Sequence, residues 1–128
     1  MIELLSGFPD NVLAVAAHGK LTAEDYRKTL EPAVAERMAA HKPLRFFFHL
    51  GADYGGIAPG AVVEDARLGF SRWKDWGAIA IVTDAASVRE VVGFFALFFH
   101  RPVQVFFDAD YEKAKAWISA PEGKQDAA

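Results

Sequence analysis

No cysteine occurs among the 128 residues. That excludes disulfides, thiolate catalysis and cysteine-ligated zinc together, and it fits a reducing compartment. Concentrated positive charge is also missing. Lys and Arg number 14 against 17 Asp and Glu, for a formal net charge of −3. The densest basic stretch, Arg67 to Lys74, has Asp65 and Asp75 close by, so no nucleic-acid partner is expected. Long hydrophobic runs are absent too. The longest, Val91 to Phe99, is nine residues counting Gly93, whereas a membrane-spanning helix needs about 20. Met1-Ile2-Glu3-Leu4-Leu5 lacks the basic start and apolar stretch of a secretory leader. The expected location is the cytoplasm, with the inner face of the membrane as a peripheral site.

Catalytic motifs are missing as well. The only serines are Ser6, Ser71, Ser87 and Ser119, none of them in Gly-x-Ser-x-Gly. Gly51, Gly55, Gly56 and Gly60 match neither the dinucleotide fingerprint nor the Walker loop. No His-x-His or His-x-x-x-His pair is present. The expectation is a protein without enzymatic activity, cofactor or bound metal.

What the chain does have is core. Hydrophobic residues make up 52% and charged residues 24%, enough for one packed domain. That domain is expected over residues 1–118, with 119–128 as a disordered tail of Pro, Gly, Lys, Gln, Asp and Ala. Ile2 to Leu5 and Val12 to Ala17 read as a hairpin, with turn chemistry at Phe8-Pro9-Asp10-Asn11 and an end at Gly19. Thr22 caps a first helix with Asp25 in its first turn. Tyr26, Leu30, Ala33, Val34 and Met38 form its buried stripe, and Pro32 forces a kink or restart. Leu44 to Leu50 is a strand, 51–60 a glycine-rich loop, and about Ala61 to Trp76 a second helix with Val62, Ala66, Phe70 and Trp73 inward. Ala78 to Val82 is the next strand. Asp84 caps a third helix, from about Ala85 to His100. Val103 to Phe107 is the last strand, and Asp110 caps a fourth helix. The fold class is α/β, ordered β-β-α-β-α-β-α-β-α. The sheet is five-stranded and mainly parallel, with an antiparallel edge strand and four helices.

Three stretches carry a family likeness. They are Leu44-Arg45-Phe46-Phe47-Phe48-His49-Leu50 with its glycine-rich sequel, Ala78-Ile79-Ala80-Ile81-Val82-Thr83-Asp84, and Val105-Phe106-Phe107 leading to Ala114-Lys115-Ala116-Trp117-Ile118. With the hairpin, they resemble the SpoIIAA-like branch of the STAS superfamily, whose fold is shared in outline with CRAL-TRIO lipid-transfer domains. The resemblance implies a fold and no enzyme activity. Phospho-regulated anti-sigma-factor antagonists of that superfamily carry a serine after the third strand. Here no Ser or Thr lies between Gly51 and Phe70, so the phospho-switch is absent by residue type.

Polar candidates collect at the C-terminal ends of strands, where open α/β sheets commonly bind ligands. They are His18, His49, Asp84 and Asp108, with Asp53 and Tyr54 in the glycine-rich segment. As an enzyme or metal reading, the histidines and aspartates would supply an acid–base pair or ligands. The plainer reading has the aspartates capping helices and shaping turns while the histidines end strands beside solvent.

The third helix departs most from expectation. Phe94, Phe95, Ala96, Leu97, Phe98 and Phe99 are consecutive and, at about 100° per residue, must point all round the axis. Only part of that ring can face a sheet. The surplus implies cover by neighbouring helices, a homodimer partner, a hydrophobic ligand or a membrane surface. Arg89, His100 and Arg101 flank the run and suit anionic headgroups. The functional expectation is a binding module for a hydrophobic small molecule or lipid beneath the third helix, with peripheral membrane contact. The expected residues are Phe94, Phe95, Leu97, Phe98, Phe99, His49, Asp53 and Tyr54. A protein-interaction module using the same helix is the alternative, and an enzyme built on His18 and His49 the second.

Overall fold

The structure is a computed structural model and describes residues 1–121. A five-stranded sheet has its strands in sequence order: β1 (Ile2–Leu4), β2 (Val12–Leu21), β3 (Leu44–Ile57), β4 (Trp76–Thr83) and β5 (Val103–Phe106). β1 is the antiparallel edge and the other pairings are parallel, as the alternation of elements implied.

The first helix, α1, begins at Ala23–Asp25, widens into a π turn at Tyr26–Leu30 and resumes at Glu31–Ala40. Thr22 caps it as expected, in a capping box with Asp25. Pro32, in the first turn of the resumed helix, has no N–H to give and crowds the turn before it, and a π turn is one way a helix absorbs that. Tyr26, Leu30, Val34 and Met38 are all buried. The remaining helices are α2 (Pro59–Ser71), α3 (Ala86–Ala96) and α4 (Tyr111–Ser119).

Each crossover from β2 to β5 moves one strand in the same direction, so a common right hand puts α1, α2 and α3 on one face. There Leu13, Val15, Phe46, Phe48, Leu50 and Ile81 meet Leu30, Val34, Ala61 and Leu68. α4 folds back over the other face, where Val12, Ala14, Phe47, Ala80 and Val82 meet Ala114 and Ile118. The chain therefore leaves β4 and β5 toward opposite faces, and a ligand crevice is expected at such a switch point.

Several sequence expectations need correcting. The glycine-rich 51–60 segment is mostly strand. β3 runs to Ile57 because β2 also continues past Gly19, pairing Gly19 with Tyr54 and Leu21 with Ile57 through register shifts. α2 buries Ala61, Glu64 and Leu68, not Val62, Ala66 and Phe70; Val62 and Phe70 are exposed. Its start is pinned by the Ala58 N–H donating to Leu21 O and by Pro59 in its first turn, which fixes the rotation. Glu64 is tolerated inside because Arg27 and Arg67 reach it. Asp84 does not cap α3, whose cap residue is Ala85; its carboxylate accepts the Asp108 N–H instead. Asp110 flanks α4 but makes no side-chain cap bond. α3 ends at Ala96, so Leu97 and Phe98 lie in the turn beyond it. Of the tail expected from residue 119, Ser119 closes α4, and residues 122–128 lie outside the described residues.

Candidate functional site

The sequence candidates separate into three places. At the edge, the β2 residue His18 bridges β1 and β3. Its Nε2 lies 2.7 Å from Glu3 and its Nδ1 2.6 Å from Asp53. Those hydrogen bonds, Glu3's the larger, raise the imidazole pKa above its ordinary value. The same bond holds the Asp53 carboxyl low. The two ring nitrogens point to carboxylates on opposite sides, an arrangement that ties strands together and does not converge on an ion. Among the described residues no group of three or more His, Asp or Glu side chains is placed to hold a metal.

The second place is the switch point. His49 lies on the α4 face, with Nε2 3.2 Å from Asp108 Oδ1 and its ring edge-on to Tyr111 at 5.0 Å. Gly51 makes room for it, since a Cβ there would come within 3.0 Å of the imidazole. Asp84 is stitched to Asp108. Thr83, fully buried, donates to Leu50 O and accepts from Ala85 N–H. Arg89 donates to Thr83 O and lies 3.7 Å above the Phe107 ring. Tyr54 is not part of this cluster. It packs against the core on the opposite face, where burial pushes its hydroxyl pKa up.

The third place is α3 and the turn after it, which the pattern of the sequence singled out. Val88, Val92 and Phe99 pack inward, yet no α3 residue is fully buried. Phe94 is 67% exposed, Leu97 76% and Phe98 66%, with Val91 and Phe70 similar. Trp73 joins the two helices. It stacks on Phe70 and meets Phe95 and Phe99 edge-on. The sequence reading placed Phe70 and Trp73 in the interior of the second helix and so missed that they extend this surface. Trp73 lies beyond α2, in the 3-10 turn Trp73–Asp75, and Phe70 is on the exposed side of α2. Neither α2 nor α4 covers the outer face of α3. Arg72, Lys74 and Arg101 border it and make no ion pair among the described residues. No helix among the described residues is long and apolar enough to cross a membrane.

The arrangement can be compared with known proteins. A sequence model described as SpoIIAA-like matches residues 12–119. No curated protein matches. One similar solved structure is that of an uncharacterized protein from Shewanella loihica PV-4, of the DUF3478 family and with a SpoIIAA-like fold. It is 23% identical, with 92% of each chain covered and a TM-score of 0.74. At that identity the likeness speaks for the fold.

Proposed function

The chain belongs to the SpoIIAA-like family, and from that premise we propose that it is a non-enzymatic, STAS-type binding module. Its α3 face engages a hydrophobic, lipid-like ligand at an anionic membrane surface. One observation carries the reading: Phe94 on α3, and Leu97 and Phe98 in the turn after it, are about two-thirds exposed or more, and α3 buries no residue fully. Exposed aromatic surface forgoes roughly 25 cal/mol per Å², and a face of this kind is expected to have an occupant.

The border favours a bilayer. Trp73 sits where apolar surface meets Arg72, Lys74 and Arg101, and an amphipathic ring among cations suits a headgroup layer. The seating of α3 supports ligand entry beneath it. Val88 and Val92, its residues packed against the core, are only half-buried. A phospho-regulated role has no support, since Ala58, with no hydroxyl, stands at the start of α2.

The test is co-sedimentation with vesicles of phosphatidylcholine alone or with phosphatidylserine, alongside light scattering for oligomeric state. The reading expects phosphatidylserine-dependent binding, lost in a Phe94→Ser/Phe98→Ser variant. Binding to neither vesicle defeats it. A dimer that the same variant splits would give this face to a second copy.

A further inference from the structure

A second feature, independent of the α3 face, lies at the N-terminal ends of the parallel strands. A cleft of about 210 Å³ is lined by Asn11, Ala40, His41, Lys42, Pro43 and Arg45. Arg45 is only 6% exposed. A cation taken that far from water ordinarily has a carboxylate beside it, yet among the described residues none lies within ion-pair distance of Arg45.

Its guanidinium is held by the C-terminus of α4 instead. Nη1 donates to Ile118 O at 2.9 Å and to Ala120 O at 2.6 Å, where the helix dipole offers partial negative charge. Gly77 leaves space for the stem, since a Cβ there would come within 3.2 Å of Arg45 Cγ. A guanidinium has five N–H donors, and both carbonyl bonds come from Nη1. The other nitrogens have no partner among the described residues, and neither is among the fully enclosed unpaired atoms. Arg45 is also one of the residues that line the cleft, so its spare donors are at hand there. Lys42, exposed and 4.0 Å from Asp75, and the His41 imidazole complete a wall of nitrogen donors. The Asn11 amide adds a further polar group.

We infer that this cleft binds a phosphate group, with Arg45 as a fixed fork and Lys42 and His41 closing over it. A buried fork with donors to spare suits an oxyanion. Three nitrogen-bearing side chains lining one cleft suit a phosphate dianion better than a singly charged carboxylate. The cleft has room for more than the bare ion, so the group is carried on a small phosphomonoester or a lipid headgroup.

The full chain is titrated with inorganic phosphate, with glycerol 3-phosphate and with acetate while the imidazole proton resonances of His18, His41, His49 and His100 are followed by NMR. A parallel arm adds vesicles containing phosphatidic acid. The expected result is a saturable shift confined to His41, with a dissociation constant on the order of 1 mM for inorganic phosphate and tighter binding of glycerol 3-phosphate. Lys42→Ala should weaken it about tenfold with an unchanged fold, and Arg45→Lys should weaken it further if that variant folds. A response to phosphatidic acid vesicles alone keeps the phosphate site and assigns it to a headgroup. The inference is overturned by no response in any arm, by an equal response to acetate, or by an undiminished response in Lys42→Ala.

Discussion

The Trp73 indole stacks on Phe70, with ring centroids 5.5 Å apart and an interplanar angle of 9°, and lies near-perpendicular to Phe99, with centroids 4.9 Å apart. One side of Trp73 is thus spent on an exposed ring and the other on a half-buried one. It marks where the interior ends and the apolar outer surface begins.

That boundary divides the phenylalanines of α3 and the turn after it by their expected cost. Phe98→Ser and Phe94→Ser remove exposed rings that touch chiefly each other, 5.2 Å apart. Each should change stability by no more than about 0.5 kcal/mol. Phe99→Ser empties a half-buried position beneath Trp73 and against the core. It should cost about 1–3 kcal/mol, less than the 3–5 typical of a fully buried ring. Urea unfolding of the three variants checks this. Equal losses at Phe98 and Phe99 would mean that the outer face is covered within the fold.

The His18 bridge predicts a pH dependence with a defined sign. The folded pKa of His18 is raised above 6.5, chiefly by the Glu3 hydrogen bond and then by that of Asp53. Its contribution to stability is therefore fully present below 6.5 and is lost as pH rises through the folded value. Asp53 is lowered below 3.8 by its bond to His18. Its contribution is present above 3.8 and is lost as pH falls through the folded value. The two together stabilise the edge between those limits. NMR titration should place His18 above the ordinary histidine value, and His18→Gln should flatten the near-neutral part of the stability profile. A His18 that titrates at or below 6.5 would remove the bridge as a stabilising element.

Much of the fold was legible because it rests on patterns that a local reading captures. The apolar runs of β2, β3 and β4, the Thr22–Asp25 cap and the restart at Pro32 are all set by residues near one another in sequence. The rotation of α2 was not legible, because its buried side, Ala61, Glu64 and Leu68, carries a charge while Val62 and Phe70 are exposed, and its start is set by Pro59 and by an Ala58–Leu21 bond between segments distant in sequence. Asp84 was misread for a related reason. A carboxylate before a helix predicts a cap, but the Asp108 N–H from the neighbouring strand end takes it. The surplus of the 94–99 run was visible from periodicity alone. The phosphate cleft was not, because Asn11, Lys42 and Arg45 meet only once parallel strands align their N-terminal ends.

Thr83 is where the buried sheet and the switch point share one hydroxyl. It donates to Leu50 O at 2.7 Å and accepts from Ala85 N–H at 3.1 Å, fully buried. Thr83→Val keeps the shape and deletes both bonds, leaving a buried carbonyl and an amide unpaired. The expected loss is about 1–3 kcal/mol by chemical denaturation, and Thr83→Ser should recover most of it. If Val and Ser are equally tolerated, the hydroxyl bonds carry no net stability.

The glycines offer the sharpest contrast, because the same substitution should change sign with place. Gly55 sits in the extended part of β3, opposite the register shift in β2. A Cβ there would come within 3.2 Å of the Gly19 carbonyl carbon and 3.3 Å of the Lys20 nitrogen. Those neighbours are backbone on a paired strand and cannot swing aside, so Gly55→Ala should destabilise by about 1–3 kcal/mol. Gly69 lies within α2 with nothing within 4 Å of its would-be Cβ and no positive φ. There the added methyl meets only open space, while the unfolded chain loses freedom and the helix gains propensity. Gly69→Ala should stabilise by about 0.5–1 kcal/mol. Thermal and urea unfolding of the two variants against the parent decides it. If Gly55→Ala proves neutral, the close approach of β2 and β3 does not require glycine, and the extension of the sheet past Leu50 loses its physical explanation.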